Sequence, residues 1–361
     1  MSTPVAPRTR PTPSGVKSRR RTALLGVAGV GALLLAACGG TTGNEATDSD
    51  KPLVYGVFAT PLEEPWDGAI HAALESAAAD GEIIYRHTDN NSSDDKMTRT
   101  LRDLVANEQP DIIFGDAFAS EDATRQVAQD NPDTAFVFGS GEKPADPNFD
   151  VFDNWLQDPA YLAGMLAGGM TGSNTIGVVA ALPIPEVNRI VNAFTMGVRE
   201  SNPDATVKVT FINSFFDPTT AKQAALAQVA QGADVLFAER AGVIEAAKEK
   251  GLPVIGMMVD QESEAPQNVV TSIVWDMRPT VQHVIDQFND DTLTDEANDL
   301  GEFSFMKNGG SSLAPINTDV PGGVPQDLID EVMAKEQAIK DGDFTTPVDE
   351  SAPAGSTTVG E

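Results

Sequence analysis

Few residues in this 361-residue chain have the types and spacing that reaction chemistry needs. Its three histidines, His71, His87 and His283, are scattered, with no HExxH pair and no cysteine beside them, so no metal site is expected. The loops "GSGEK" and "NGGSS" lack the lysine spacing of a phosphate-binding loop, and no G-x-S-x-G elbow is present. With no nucleophile or general-base pair in view, neither an enzyme nor a cofactor is expected. What remains is binding chemistry. Trp66, in "EEPWDGAIHAAL", follows the apolar run "LVYGVF", and Phe216 stands in the same place after "TVKVTFIN". Two rings at such turns can sandwich a planar ligand, each contributing about 1 to 3 kcal/mol by analogy with base stacking. Trp66 also shares a helical face with Ile70, Ala73 and Ala77, so packing on a sheet is the other reading. Pro65 suits a first helical turn. Asp67 can bond a ligand or favour the helix N-terminus. Asp116, after "DIIFG", can accept from a ligand donor or cap a helix.

The elements that must position these residues are strands and helices in alternation. Short apolar runs, "LVYGVF", "EIIYRH", "DIIFGDA", "TAFVFGS", "TIGVVAAL", "TVKVTFIN", "DVLFAER" and "PVIGMMV", are separated by helical stretches. Near-continuous rather than alternating apolarity implies parallel strands covered on both faces, an α/β, doubly wound class. Turn residues agree: "SNPDA", "QGAD" and "KGLP" each stop a helix before a strand. The run "DVFDNWLQDPAYLAGMLAGG" breaks the rhythm and marks a crossover. The expected architecture is two Rossmann-like lobes with a hinge: 52–153 plus about 277–300, and 154–276 plus about 301–345. Ligands of open α/β sheets bind beyond the carboxyl ends of strands, where Trp66 and Phe216 lie in facing lobes.

The ends of the chain have another character. Arg8, Arg10, Lys17, Arg19, Arg20 and Arg21 precede an apolar run from Ala23 to Ala37, shorter than the roughly 20 residues of a membrane span, and "LAACGG" follows. This is a secretory signal over 1–37. "LAAC" resembles the lipobox of bacterial lipoproteins, making Cys38 the expected lipid-bearing first residue. "SRRRTALLG" leaves general-secretory and twin-arginine export both open. Cys38 is the only cysteine, so no intrachain disulfide can form. The whole chain carries a formal charge of −30; beyond residue 37, 18 basic residues stand against 54 acidic ones, a charge of −36. Such a surface repels nucleic acid. Residues 38–51 read as a flexible tether and 346–361 as a disordered tail.

Six blocks occur in order: "YLAGMLAG", "IGVVAALPIPEVNRIVNAFTMGV", "SFFDPTTAKQAALAQVAQGADVLF", "GVIEAAKEKG", "VIGMMVDQ" and "VVTSI". In them, from about Leu53 to Pro347, the chain resembles the BMP/PnrA-like family of lipoproteins with the type I periplasmic-binding-protein fold, solute receptors of certain ABC importers. The resemblance implies capture of a purine nucleoside or nucleobase between two lobes that close on it. It implies a monomer held by lipid on the extracytoplasmic face of the membrane, with an ABC permease and ATPase as partners. It also implies site residues. Phe216 in "SFFD" stands where the family has an aromatic facing the ligand, with Phe215 toward the core. Asp67 stands where the family often has Asn. Asp260 matches the second acid of a family block whose first acid is here Met258, which puts ribose recognition in doubt. Glu239 and Arg240 occupy a loop of small residues in the family, as a surface ion pair or as recognition of a more polar ligand. Asn188, Arg189 and Asn192 would point from a helix start toward the cleft, and Trp275 would sit at a hinge near Asn154 with some ligand access. The same scaffold can present a ligand to a membrane sensor, or hold a non-nucleoside solute.

Overall fold

The computed structural model describes residues 51–118 and 120–360. The signal, Cys38 and all of the tether but Lys51 lie outside the described residues.

The apolar runs form strands because burial on both faces suits them. β1 (Leu53–Val57), β2 (Ile84–Thr88), β3 (Ile112–Asp116), β4 (Ala135–Gly139) and β5 (Phe149–Phe152) make a parallel sheet in the order β2-β1-β3-β4-β5. The intervening helices are α1 (Pro65–Ala79), α2 (Asp94–Asn107) and α3 (Glu121–Asp130). After the helix α4 (Gln157–Met170), a second βα series follows: β6 (Thr175–Ala180), α5 (Pro185–Ser201), β7 (Thr206–Phe211), α6 (Pro218–Ala230), β8 (Val235–Ala238), α7 (Val243–Lys250), β9 (Val254–Met258) and β10 (Val269–Trp275). With β11 (Ser311–Leu313) and β12 (Thr357–Thr358) these strands form a sheet ordered β11-β10-β9-β8-β6-β7-β12, parallel except for β11. The fold is α/β with two doubly wound lobes, as the strand pattern implies.

Three segments cross between the lobes. The first, after β5, leads into α4; the second, after β10, leads into α8 (Arg278–Asn289), which returns to the first lobe and packs on α1. Asn298 and Leu300 bond the backbone of Val151 at the edge of the first sheet, and the chain then recrosses to β11. The helix α9 (Gln326–Asp341) closes over α4. Ser304 ties the crossings together: its Oγ donates to the Asp153 carbonyl at 2.6 Å and accepts from the Trp275 indole N–H at 3.0 Å. The core between α4 and α5 needs glycine, since a Cβ on Gly197 would lie 1.9 Å from the Tyr161 carbonyl oxygen and one on Gly164 2.0 Å from that of Phe194.

One expectation fails here. Residues 346–360 are not a disordered tail but a strap laid along α5, ending as the edge strand β12 beside β7. The strap lacks apolar periodicity because side-chain amides fix it through its backbone: Asn188 donates to the Glu350 carbonyl, and Asn192 to those of Asp349 and Ser351.

Candidate functional site

Loops after the first strands of both lobes converge on one cavity. From the first lobe come Thr60, Glu64 and Trp66 after β1, Asp116 and Phe118 after β3, and Ser140 after β4; from the second come Glu186 at the start of α5, Phe215 after β7 and Arg240 after β8. The cavity is narrow as it stands, with about 30 Å³ open to a water-sized sphere. A wider opening beside it shares Phe118, Ser140 and Glu186 and is lined further by Trp155, Arg189 and Glu350.

The start of α1 explains the sequence around Trp66. Pro65 opens the helix, and the Glu64 carboxylate caps it by accepting from the backbone N–H groups of Trp66 at 2.9 Å and Asp67 at 3.1 Å. Trp66 is only 7% exposed. It stacks on Phe152 with centroids 5.9 Å apart, and it leans on Trp275 at 5.2 Å. Its indole N–H is buried without a partner. Trp66 is therefore both a core anchor and a wall of the cavity. A close approach fixes the residue opposite: a Cβ on Gly139 would come within 2.1 Å of the Trp66 ring.

The aromatic pair that meets across the cleft is Phe118 with Phe215, centroids 5.0 Å apart and nearly perpendicular. Phe216, expected to face the ligand, is 37% exposed and lines a separate surface opening with Pro65 and Val259, whereas Phe215, expected in the core, lines the cavity. Adjacent loop residues point to opposite sides, and no periodicity in "SFFD" says which one faces inward.

The polar groups divide by role. Arg240 is 5% exposed and links the lobes. It donates to Glu239 from Nη2 at 2.7 Å and from Nε at 3.0 Å, to Glu64 of the first lobe at 3.2 Å, and to the Phe215 carbonyl at 3.0 Å. Glu239 also accepts the Ala181 N–H at 2.9 Å. This pair is no surface ion pair. Asp116 takes the Phe118 N–H on one oxygen; burial, with the Asp67 charge second, raises its carboxyl well above the ordinary range. Glu186 is pushed up to about 8 by burial first and then by Asp153, against Arg189 and Arg240. Neutral carboxyls in such a place both donate and accept.

Other expected contacts serve the frame instead. Asp67 is turned onto its own loop, accepting from Thr60 N–H at 2.9 Å and Thr60 Oγ at 2.6 Å; burial pushes it up to about 7. Asn188 and Asn192 hold the strap. Asp260 is exposed and accepts the Glu262 N–H, away from the cavity lining, while Met258 is buried in the core with φ of +71°. Trp275 is buried at the crossover beneath Trp66, and Asn154 is buried beside Arg189. Sequence reasoning missed Thr60, Glu64, Phe118, Ser140 and Glu186. Their signal was position alone, since each follows a strand end or opens a helix. Among the described residues no cluster of side chains is fit to hold a metal ion, and no helix is long and apolar enough to cross a membrane.

Comparison with known proteins places the fold and the family. The chain is 34% identical over 231 residues to TsgA13 of Haloferax volcanii, provisionally named an ABC transporter glucose-binding protein, covering 63% of this chain and 57% of that one. It is 30% identical over 239 residues to a purine-binding protein of Brucella abortus, covering 66% of each. The chain thus spans less than two thirds of the length of these relatives. An ABC transporter solute-binding protein from Conexibacter woesei shares the fold, with a TM-score of 0.68 at 23% identity over 82% of this chain and 99% of that one. Residues 63–301 match the model of the Bmp family, described as ABC transporter substrate-binding protein PnrA-like, and the chain belongs to that family.

Proposed function

We propose that this chain is the lipid-anchored, extracytoplasmic receptor of an ABC importer and that it captures a purine nucleoside, a nucleobase or a similar planar solute in the cavity between its lobes. The observation that carries this reading is the Phe118–Phe215 pair, one ring from each lobe, beside the carboxyls of Asp116 and Glu186. The two phenylalanines are in edge-to-face contact here, so a flat ring enters as they part and turn, and each then stacks on one of its faces. The edge of a purine offers both N–H donors and ring-nitrogen acceptors, which carboxyls raised by burial can match. The unpartnered Trp66 N–H adds one donor in the same wall. Capture and closure are binding work, so this reading assigns no reaction to any residue. Cys38 after its short apolar segment supplies the anchor, with more than one acyl chain for stable attachment.

A sugar is the second reading. The cavity is rich in carboxyls, which suit hydroxyl groups, and a relative is named for glucose. Calorimetry with adenosine, guanosine, inosine, their free bases and glucose decides: saturable binding of a purine supports the proposal, and binding of glucose alone replaces it. Co-purification from native membranes with a permease and ATPase, rather than with a sensor, tests the transport role.

A further inference from the structure

The strap 346–360 lies beyond the family-matched residues, yet it is built into the cleft. Asn188 and Asn192, one turn apart on α5, take three successive strap carbonyls, those of Asp349, Glu350 and Ser351. Between them Arg189, 2% exposed, reaches in two directions. One side donates to Asp153 at 2.6 Å and to the carbonyl and side chain of Asn154 at 3.3 Å, all in the first crossover. The other side reaches the Glu350 carboxylate at 3.3 Å. The guanidinium lies 4.2 Å over the Trp155 ring, and Trp155, Arg189 and Glu350 line the wider opening of the cleft together.

We propose that the strap is a working part of the receptor: Glu350 is a positioning residue that holds Arg189 against the crossover at 153–155, so that the strap sets how readily the lobes open. The chain of contacts is continuous. Glu350 meets Arg189, Arg189 meets Asp153, the Asp153 carbonyl accepts from Ser304, Ser304 accepts from Trp275, and Trp275 packs on Trp66 in the cavity wall. A buried guanidinium with fixed partners on both sides holds the crossover in one geometry. Without Glu350, water replaces one side and the crossover gains freedom. β12 at the edge of the second sheet anchors the far end of the strap, so the pull on Arg189 is borne by the lobe itself. The proposal stands on the two-lobe fold and is independent of which ligand binds.

All three tryptophans, Trp66, Trp155 and Trp275, lie on this path, which gives a test free of ligand. Acrylamide quenching of tryptophan emission and solution scattering are measured on the unliganded chain, on a chain ending at Thr345, on Glu350→Gln and on Glu350→Asp. The shortened chain should keep its circular dichroism while its quenching constant rises about twofold as the open population grows, and its radius of gyration should increase. Glu350→Gln should move the same way by less, Glu350→Asp should stay with the parent, and a peptide of residues 346–361 added in trans should reverse the effect of truncation. A folded shortened chain with parental quenching and scattering overturns the proposal. Movement on truncation with Glu350→Gln unchanged overturns the role of Glu350. Should the shortened chain fail to fold, Glu350→Gln combined with Asn192→Ala decides on the same readouts, and parental values overturn the proposal.

Discussion

Arg240→Met removes the cation that joins the two lobes while nearly conserving side-chain length. In the parent, Arg240 satisfies Glu239 of its own lobe and Glu64 of the other, and both acids are buried. The variant leaves each carboxylate with backbone N–H partners only: Trp66 and Asp67 for Glu64, Ala181 for Glu239. Either acid must stay charged and unpaired or take up a proton. Holding one neutral at pH 7 against an ordinary value near 4.3 costs about 2.7 units at about 1.36 kcal/mol each, or about 3.7 kcal/mol, within the roughly 3 to 5 kcal/mol typical of a broken buried pair. If the lobes stayed shut, that cost would lower Tm by roughly 7 to 15 °C in a domain of 150 to 250 residues. Opening offers relief, because it hydrates Glu64, so part of the loss should appear as a larger radius of gyration instead. The pH dependence has a definite sign. Burial already raises both acids, and losing Arg240 raises them further. Groups raised on folding stabilise below their unfolded pKa and lose that contribution as pH rises, so the deficit should shrink to about 1 kcal/mol at pH 5 by the same arithmetic. Calorimetric melts and scattering at pH 5 and pH 7 check this. A variant with parental Tm and compactness at pH 7, or with a deficit that does not change with pH, would refute the reasoning.

Other substitutions separate the roles further. Glu186→Gln removes a group raised to about 8 by burial, so the fall of Tm between about pH 4 and 8 should be shallower than in the parent; an unchanged slope says Glu186 does not titrate there. Gly139→Ala places a methyl 2.1 Å from the Trp66 ring and should cost about 1 to 3 kcal/mol, with a shift in tryptophan emission as the ring is displaced. Gly197→Ala meets the Tyr161 backbone, which has no rotamer to give, and should cost at least as much; a melt within a degree of the parent would contradict the close α4–α5 approach. Cys38→Ala should abolish metabolic acyl labelling and release the protein from membranes; equal labelling ends the lipoprotein reading.

Much of this fold could be read from its residues. All eight strand candidates are strands, six of them because apolarity on both faces leaves no alternative burial, while β2 and β7 are partly exposed. The break at "DVFDNWLQDPAYLAG" is a crossover because an extended run ends there in a helix buried along most of its length. The site was less legible. That Asn188 and Asn192 share a face follows from their spacing, but what that face meets depends on a strap whose order comes from side chains outside it. Phe215 and Phe216 differ only in loop geometry, which no pattern encodes. Asp67 and Asp260 have the right chemistry, yet local N–H and O–H donors claim them. The expectation about ribose changes accordingly. Should nucleosides bind tenfold or more tightly than free bases, about 1.4 kcal/mol, the hydroxyl acceptor to examine is Glu186 or Asp116 in the cavity wall, and not Asp260.

The central claim is that a planar solute sits between Phe118 and Phe215. It is tested most directly by titrating adenosine, guanosine, inosine and their bases, with glucose as the contrasting ligand, into the parent, Phe215→Ala and Phe216→Ala by calorimetry. The account predicts one purine site per chain, weakened by about 1 to 3 kcal/mol in Phe215→Ala and nearly unchanged in Phe216→Ala. No purine binding in a folded parent, or a loss confined to Phe216→Ala, would contradict it.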